Sequence, residues 1–383
     1  MSPANTFWRS IPRKSLVGFL LGVFSIFTSV GFANDIMGMG RQPALRYAIG
    51  VLLSGIFPVL YAFTGSRLRS QFWKAFVPLL ALQITLMNVL GNLLPDRPQS
   101  VPIGAADFAR LQARLSFDSN MIIAAVALGY GCFLYVTITE ARRYARVHME
   151  MLLAAEIHRV LVPPIDSKIG RYEFCGRSVP SGEVGGDLID VFEHDRSWIA
   201  YVADVSGHGV APGVVMAMVK SAARMQLSST ENSRALLERL NSVLHPIKKP
   251  EMFVTFAYLA WDGEKLEYST AGHPPILHYH AATKETSELD CSNLPVGMFS
   301  GRQFLAGSVV PASDDLLLML TDGLSEITNA KDEEFGIAAV KDALAAYAGK
   351  PSDEIVRAVL DATDRHGHAA DDRSLLLVKL NQP

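Results

Sequence analysis

Apolar positions fall into two regimes along this chain. In the first 140 residues they form four runs without a single Asp, Glu, Lys or Arg, at residues 15–33, 47–66, 75–94 and 119–139. Each is about the twenty residues that a helix needs to cross a hydrocarbon core roughly 30 Å thick, so the pattern predicts four membrane-spanning helices. Residues 140–162 then lack Gly and Pro and are rich in helix formers, with Tyr144, Val147, Met151 and Ala154 at heptad-like steps before Pro163-Pro164. This stretch predicts a helical stalk of roughly 35 Å, long enough to pair in parallel with a second copy and make a homodimer.

Beyond the prolines the period changes. Residues 197–202, 315–320 and 375–380 are short apolar or β-branched runs bounded by turn residues, the mark of buried strands. Residues 253–261 and 265–271 flank Asp262-Gly263 and predict a hairpin, while 211–227, 337–347 and 353–365 carry helical spacing. Hairpins with helices kept apart from them predict an α+β domain of stacked antiparallel sheets flanked by helices. The expected layout is a membrane region at 1–139, a helical linker at 140–164 and a soluble domain at 165–383, large enough for one core.

Composition agrees with that split: 49% of the 383 residues are hydrophobic and the mean hydropathy is +0.21, high for a wholly soluble chain. The net charge of −3 carries no clustered basic footprint, which argues against nucleic-acid binding. Basic residues gather at Arg9, Arg13 and Lys14, at Arg67, Arg69 and Lys74, and at Arg142, Arg143 and Arg146. By the positive-inside rule both termini are expected on the cytoplasmic side of the inner (plasma) membrane. A cleaved leader ending near Gly31-Phe32-Ala33 is the alternative for the first run, but the run exceeds a usual leader and further spans follow. Pro58, Pro78, Gln83, Asn88 and Asn92 inside the runs point to helix–helix packing, and the absence of charge there argues against a transporter. Cys132, Cys175 and Cys291 are odd in number and far apart, so they read as buried thiols in a reducing compartment.

Candidate chemistry sits where acids meet glycines at strand ends: Gly185-Gly186-Asp187, Asp204-Val205-Ser206-Gly207-His208-Gly209, Thr321-Asp322-Gly323 and Asp371-Asp372-Arg373-Ser374. Each fragment alone reads equally as a turn. Four such acids together imply a multi-metal site, because carboxylates supply charged oxygen and glycines leave room for an ion and its waters. Oxygen donors without a nearby His or Cys set select Mg²⁺ or Mn²⁺.

With Ala271-Gly272-His273-Pro274-Pro275 added, the order of these motifs resembles the PPM-type metal-dependent protein phosphatases (protein phosphatase 2C-like) in their bacterial SpoIIE-like branch, over residues 155–380. The resemblance implies a four-layer α-β-β-α sandwich and two Mn²⁺ or Mg²⁺ ions. It makes Asp187 and Asp204 the bridging and first-site ligands, the Val205 carbonyl a further ligand, and Asp322 and Asp371 the later acids. Asp372 is the lesser member of its pair. A hydroxide generated on the metal pair would attack phosphorus directly, without a Ser or Cys nucleophile. Ser206 stands where eukaryotic members place a candidate general-acid histidine, which leaves His208 to cap its loop. His273 reads as site architecture, Leu294-Pro295-Val296-Gly297 as a packing turn, and Glu183 and Asp190 as solvated or supporting acids. The implied activity is a membrane-anchored phosphoserine/phosphothreonine phosphatase acting on a small phosphorylated regulator of the anti-sigma-antagonist type. The alternative is a catalytically silent membrane-bound interaction module with the same fold.

Overall fold

A computed structural model describes residues 12–67, 72–97, 104–194, 197–207, 209–228, 234–249 and 251–382. The chain divides into two compact units, Met1–Val147 and His148–Pro383. That division falls inside the stretch read as a stalk.

In the first unit α1 (Arg13–Met37), α2 (Ala44–Arg67), α3 (Phe72–Leu93) and the start of α4 (Ala105–Leu161) carry the four apolar runs. All four are long and apolar enough to cross a membrane. The fourth run and the stalk, expected as successive pieces, are one 57-residue helix, because neither Gly nor Pro interrupts residues 132–161 and the cap-forming prolines come only at 163. Small residues bring α1 and α2 together: a Cβ on Gly31 would lie 2.5 Å from the Val51 Cα, and one on Gly55 would lie 2.5 Å from Thr28 Oγ1. Such backbone contact is how apolar helices associate without a hydrophobic driving force between them. Polar and charged side chains also tie the helices to one another. Arg114 donates through Nε and Nη2 to both Asp35 oxygens at 2.7 and 2.9 Å, and Tyr47 donates to Asp118.

The second unit is a sandwich. β1 (Ile165–Ile169), β2 (Tyr172–Val179), β11 (Arg373–Leu380), β10 (Leu316–Leu320), β7 (Ile276–His280) and β8 (Glu285–Leu289) form one sheet in that order. β3 (Leu188–His194), β4 (Ser197–Val205), β5 (Val254–Trp261), β6 (Leu266–Ala271) and β9 (Gly307–Val309) form the other, and the strand pairs in both are antiparallel. Helices α5 (Val210–Leu227) and α6 (Arg234–Leu244) cover the five-stranded sheet. Helices α8 (Gly336–Tyr347) and α9 (Ser352–His366) cover the six-stranded one, and a single turn, α7 (Asp322–Ser325), follows β10. The result is the expected α-β-β-α stack.

The stacking explains why β10 and β11 are apolar without alternation. Leu316, Leu318 and Leu320 face a core shared with Val340, Leu344, Ile355 and Val359 on α8 and α9. Leu317 and Met319 face the inter-sheet core, where the Phe174 ring on β2 meets the Trp198 ring on β4 at 4.9 Å. A strand covered on both faces has no solvent side on which to place a polar residue.

Candidate metal centre

The acids converge because the strand ends do. Asp187 precedes β3 at a position 1% exposed, and Asp204 is the penultimate residue of β4, antiparallel to β3. Asp322 opens α7 directly after β10, and Asp371 precedes β11, which pairs with β10. Val205 ends β4, buried, and its carbonyl lies 2.7 Å from where a Gly186 Cβ would stand, so only glycine fits at that approach. Gly207 follows with φ of +95°, a conformation that turns the chain from β4 into α5 and that a side chain would strain. His208 lies outside the described residues.

These side chains feel one another strongly. Burial, and then the charge of Asp204, push Asp187 well above the usual carboxylate range. Burial followed by Asp322 and Asp371 pushes Asp204 up to about 7, and burial followed by Asp371 raises Asp322. Among the described residues, no Lys, Arg or His makes an ion pair with Asp187, Asp204, Asp322 or Asp371. A set of like charges that runs from buried Asp187 through half-buried Asp204 and Asp322 to exposed Asp371, without a counter-ion among the described residues, fits hard divalent cations, since such an ion removes the repulsion and the desolvation cost of the inner acids.

Neighbouring hydroxyl and amide groups hold the acids in place. Thr321 Oγ1 donates to Asp187 Oδ2 at 2.9 Å and accepts the Ser374 N–H at 2.9 Å, tying the ends of β10 and β11 to the loop before β3. Asp372 accepts the Ser181 N–H at 2.7 Å on Oδ1, together with the Ser181 hydroxyl at 3.0 Å, and the Gly186 N–H at 2.7 Å on Oδ2. Both its oxygens are thus committed to clamping the 181–187 loop. His273 is buried, with Nδ1 2.8 Å from Thr255 Oγ1, and Thr255 is the β5 residue opposite Asp204. Burial lowers this imidazole to about 3, so it braces the Asp204 strand as a neutral group. The 294–297 turn closes against the same sheet, with Val296 bridging Val254 in both directions.

One expectation is corrected. Glu183 is exposed as anticipated, but Asp190 is neither solvated nor a support for the acids. It is 5% exposed and gripped by Arg224 (Nε to Oδ2 2.7 Å, Nη2 to Oδ1 2.6 Å), the Tyr201 hydroxyl (2.8 Å) and Lys220 (3.5 Å). Its side chain takes part in fastening α5 to β3 and β4.

A family model described as Stage II sporulation protein E (SpoIIE) matches residues 194–381, a stretch holding Asp204, Asp322 and Asp371. The C-terminal unit matches that model over those residues and has the PP2C phosphatase fold. Among curated proteins the chain is similar to the phosphoserine phosphatase RsbU of Bacillus subtilis (strain 168), 22% identical over 241 residues, covering 62% of this chain and 68% of that one. A crystal structure of the RsbU and RsbW domains of a Mycobacterium tuberculosis protein matches at TM-score 0.50 and 27% identity. It covers 58% of this chain and 63% of that chain, so less than two thirds of the mycobacterial chain is spanned. The SiaA-PP2C domain of Pseudomonas aeruginosa matches over its whole length and 63% of this chain, with TM-score 0.55 and 17% identity, a likeness of fold.

Within the C-terminal unit, motif reading passed over three groups that the geometry brings in. Thr321 was visible as the residue before Asp322, but its hydroxyl bond to Asp187 spans 134 positions and has no local signature. Ser181 belongs to the Asp372 clamp for the same kind of reason. Glu326, one turn after Asp322, is raised by burial and then by Asp322, Glu334 and Asp371, which sets it beside the acids. An i, i+4 acid pair at the start of α7 was the only signal for it.

Proposed function

We propose that this chain is a metal-dependent phosphoserine/phosphothreonine protein phosphatase. The observation that carries the reading is the meeting of buried Asp187, half-buried Asp204 and Asp322 and exposed Asp371, without a cationic partner among the described residues. In this reading Asp187, Asp204, the Val205 carbonyl, Asp322 and Asp371 hold two Mn²⁺ or Mg²⁺ ions. When bound, the ions activate water and neutralise charge on the phosphoryl oxygens.

The chain's own groups prepare that site. Thr321 orients the Asp187 carboxylate through its Oδ2. Asp372 holds the 181–187 loop, and His273 steadies the strand under Asp204. Cysteine chemistry is unsuited to the role: burial pushes the Cys175 thiol up to about 12 and also raises Cys291, so neither offers a thiolate near neutral pH. A silent interaction module would gain nothing from concentrating uncompensated acids at four strand ends.

The substrate class follows from likeness to a protein named phosphoserine phosphatase RsbU, which supports a small phosphorylated regulatory protein as partner. The same reading gives residues 1–139 as a multi-pass membrane region with the phosphatase domain, 165–383, on the cytoplasmic side. The exposed stripe of Tyr144, Val147 and Met151 along the 140–164 linker suits pairing with a second copy. The test is hydrolysis of a phosphoserine peptide by the full-length protein in detergent. Mn²⁺-dependent turnover that is lost in excess chelator and in Asp204→Asn supports the reading, and turnover unaffected by either overturns it.

A further inference from the structure

A second group of metal-type ligands lies at the other end of β10. Asp315 immediately precedes this five-residue strand and Asp322 follows it, so at about 3.3 Å per residue the two ends stand roughly 20 Å apart. At the Asp315 end, His278 and His280 project from the same face of β7, two residues apart on a strand. One ligand atom from each of His278, His280 and Asp315 lies within 4.8 Å of the others.

We propose that His278, His280 and Asp315 form a binding site for a divalent transition metal of the zinc class, separate from the acidic centre. The donor set supports this choice. Two imidazoles and one carboxylate suit Zn²⁺, whereas the all-oxygen acids suit Mg²⁺ or Mn²⁺. His278 Nε2 stands 2.9 Å from Asp315 Oδ2 and His280 Nδ1 stands 4.0 Å from the same oxygen. Tetrahedral ligands at about 2.0–2.1 Å from zinc are about 3.3 Å apart, a value that lies between these two spacings.

The surroundings prepare Asp315 and His280 in their ligating forms, while His278 would exchange its Nε2–H bond to Asp315 for the ion. Asp315 accepts the Ala281 N–H on Oδ1 and the Ala312 N–H on Oδ2, at 2.9 and 2.8 Å, which aims the carboxylate and favours its charge. His280 has Nε2 2.8 Å from the Ser287 hydroxyl on the neighbouring strand β8. With the proton on Nε2 as donor to that hydroxyl, Nδ1 keeps its lone pair toward Asp315, the outer-partner arrangement usual for metal-bound histidines. The two rings lie 3.9 Å apart, a separation that disfavours charging both at once. A buried His–Asp pair needs no second imidazole, and here the second one is part-exposed, at 37%, leaving the fourth position of an ion open to water. Such an ion would pin the edge hairpin β7–β8 to the start of β10.

The experiment uses the full-length protein stripped of metal and then supplied with excess Mn²⁺ to occupy the acidic centre. Zn²⁺ is added, and its uptake and the melting temperature are measured for the wild type and for His280→Ala, whose part-exposed side chain is not part of the core. The expected result is one additional Zn²⁺ per chain in the wild type with a raised melting temperature, and at least about a tenfold loss of zinc affinity in the variant. Co²⁺ added in place of Zn²⁺ should give the intense visible bands of a four-coordinate ion in the wild type and lose them in the variant. Equal zinc uptake by both chains, or no uptake by the wild type above the Mn²⁺-filled centre, would overturn the assignment.

Discussion

Asp187 and Asp190 are three residues apart, both nearly inaccessible at 1% and 5%, and the chain uses them in opposite ways. Asp190 receives the Arg224 fork, the Tyr201 hydroxyl and Lys220. Asp187 receives hydroxyl contacts from Thr321 and Ser374 and faces the charges of Asp204 and Asp372, with no cation paired to it among the described residues. Burial therefore does not distinguish a structural acid from a functional one. What differs is the sign of the surroundings: Asp190 is neutralised by Arg224 and Lys220, and Asp187 faces like charge, as the proposed metal site requires.

The comparison breaks most visibly through activity. Asp187→Asn or Asp322→Asn is expected to lower metal-dependent phosphopeptide hydrolysis by more than about 100-fold, beyond the 10–100-fold typical of outer partners. Metal-free melting of these variants should be unchanged or slightly raised, because each removes a like charge. A coincident loss of folding, seen by circular dichroism, would make Asp187 structural after all. Asp190→Ala is the converse, expected to cost about 2–4 kcal/mol in denaturant unfolding, since it strands a guanidinium and a phenol hydroxyl. Activity per folded molecule should stay near that of the wild type, and a selective loss of turnover would erase the distinction.

Thr321→Val probes the hydroxyl bond from Thr321 to Asp187. A reduction of about 10–100-fold at limiting Mn²⁺, partly recovered at high Mn²⁺ and largely restored by Thr321→Ser, is expected. An unaffected Mn²⁺ dependence would show that the hydroxyl does not orient the carboxylate.

The smallest effect is on pH. In the metal-free protein Asp204 is raised to about 7 from an ordinary value near 3.8, so the folded state holds a proton that the unfolded state has released between those values. The stability associated with Asp204 is then fully present below about 4 and is lost as pH rises to about 7. The difference in melting temperature between wild type and Asp204→Asn should follow that trend, and saturating Mn²⁺ should abolish it. A pH-independent difference would mean that Asp204 does not share its charge with the other acids.

Much of this arrangement was legible before any coordinates. The runs at 15–33 and 47–66 declare their helices because a charge is costly inside an apolar layer, and β10 and β11 declare theirs because strands covered on both faces must be apolar throughout. The candidate acids were legible because each stands at the end of such a strand beside glycine. The reading of Asp190 differs for a physical reason: Arg224 and Lys220, which neutralise it, come from α5 thirty or more positions later and nothing near Asp190 announces them. The same holds for Thr321 and Asp372, whose partners lie across the sandwich. The boundary between α4 and a separate stalk was invisible because the chain has none: no helix breaker separates the two patterns.

The central claim, that Asp187, Asp204, Asp322 and Asp371 are left uncompensated in order to hold divalent ions, is tested most directly by counting Mn²⁺ bound at equilibrium to the metal-stripped full-length chain and to Asp204→Asn. The account predicts about two ions per wild-type chain, as in two-metal hydrolases, and the loss of at least one in the variant. Equal Mn²⁺ binding by both chains, or none by the wild type at concentrations that support hydrolysis, would contradict it.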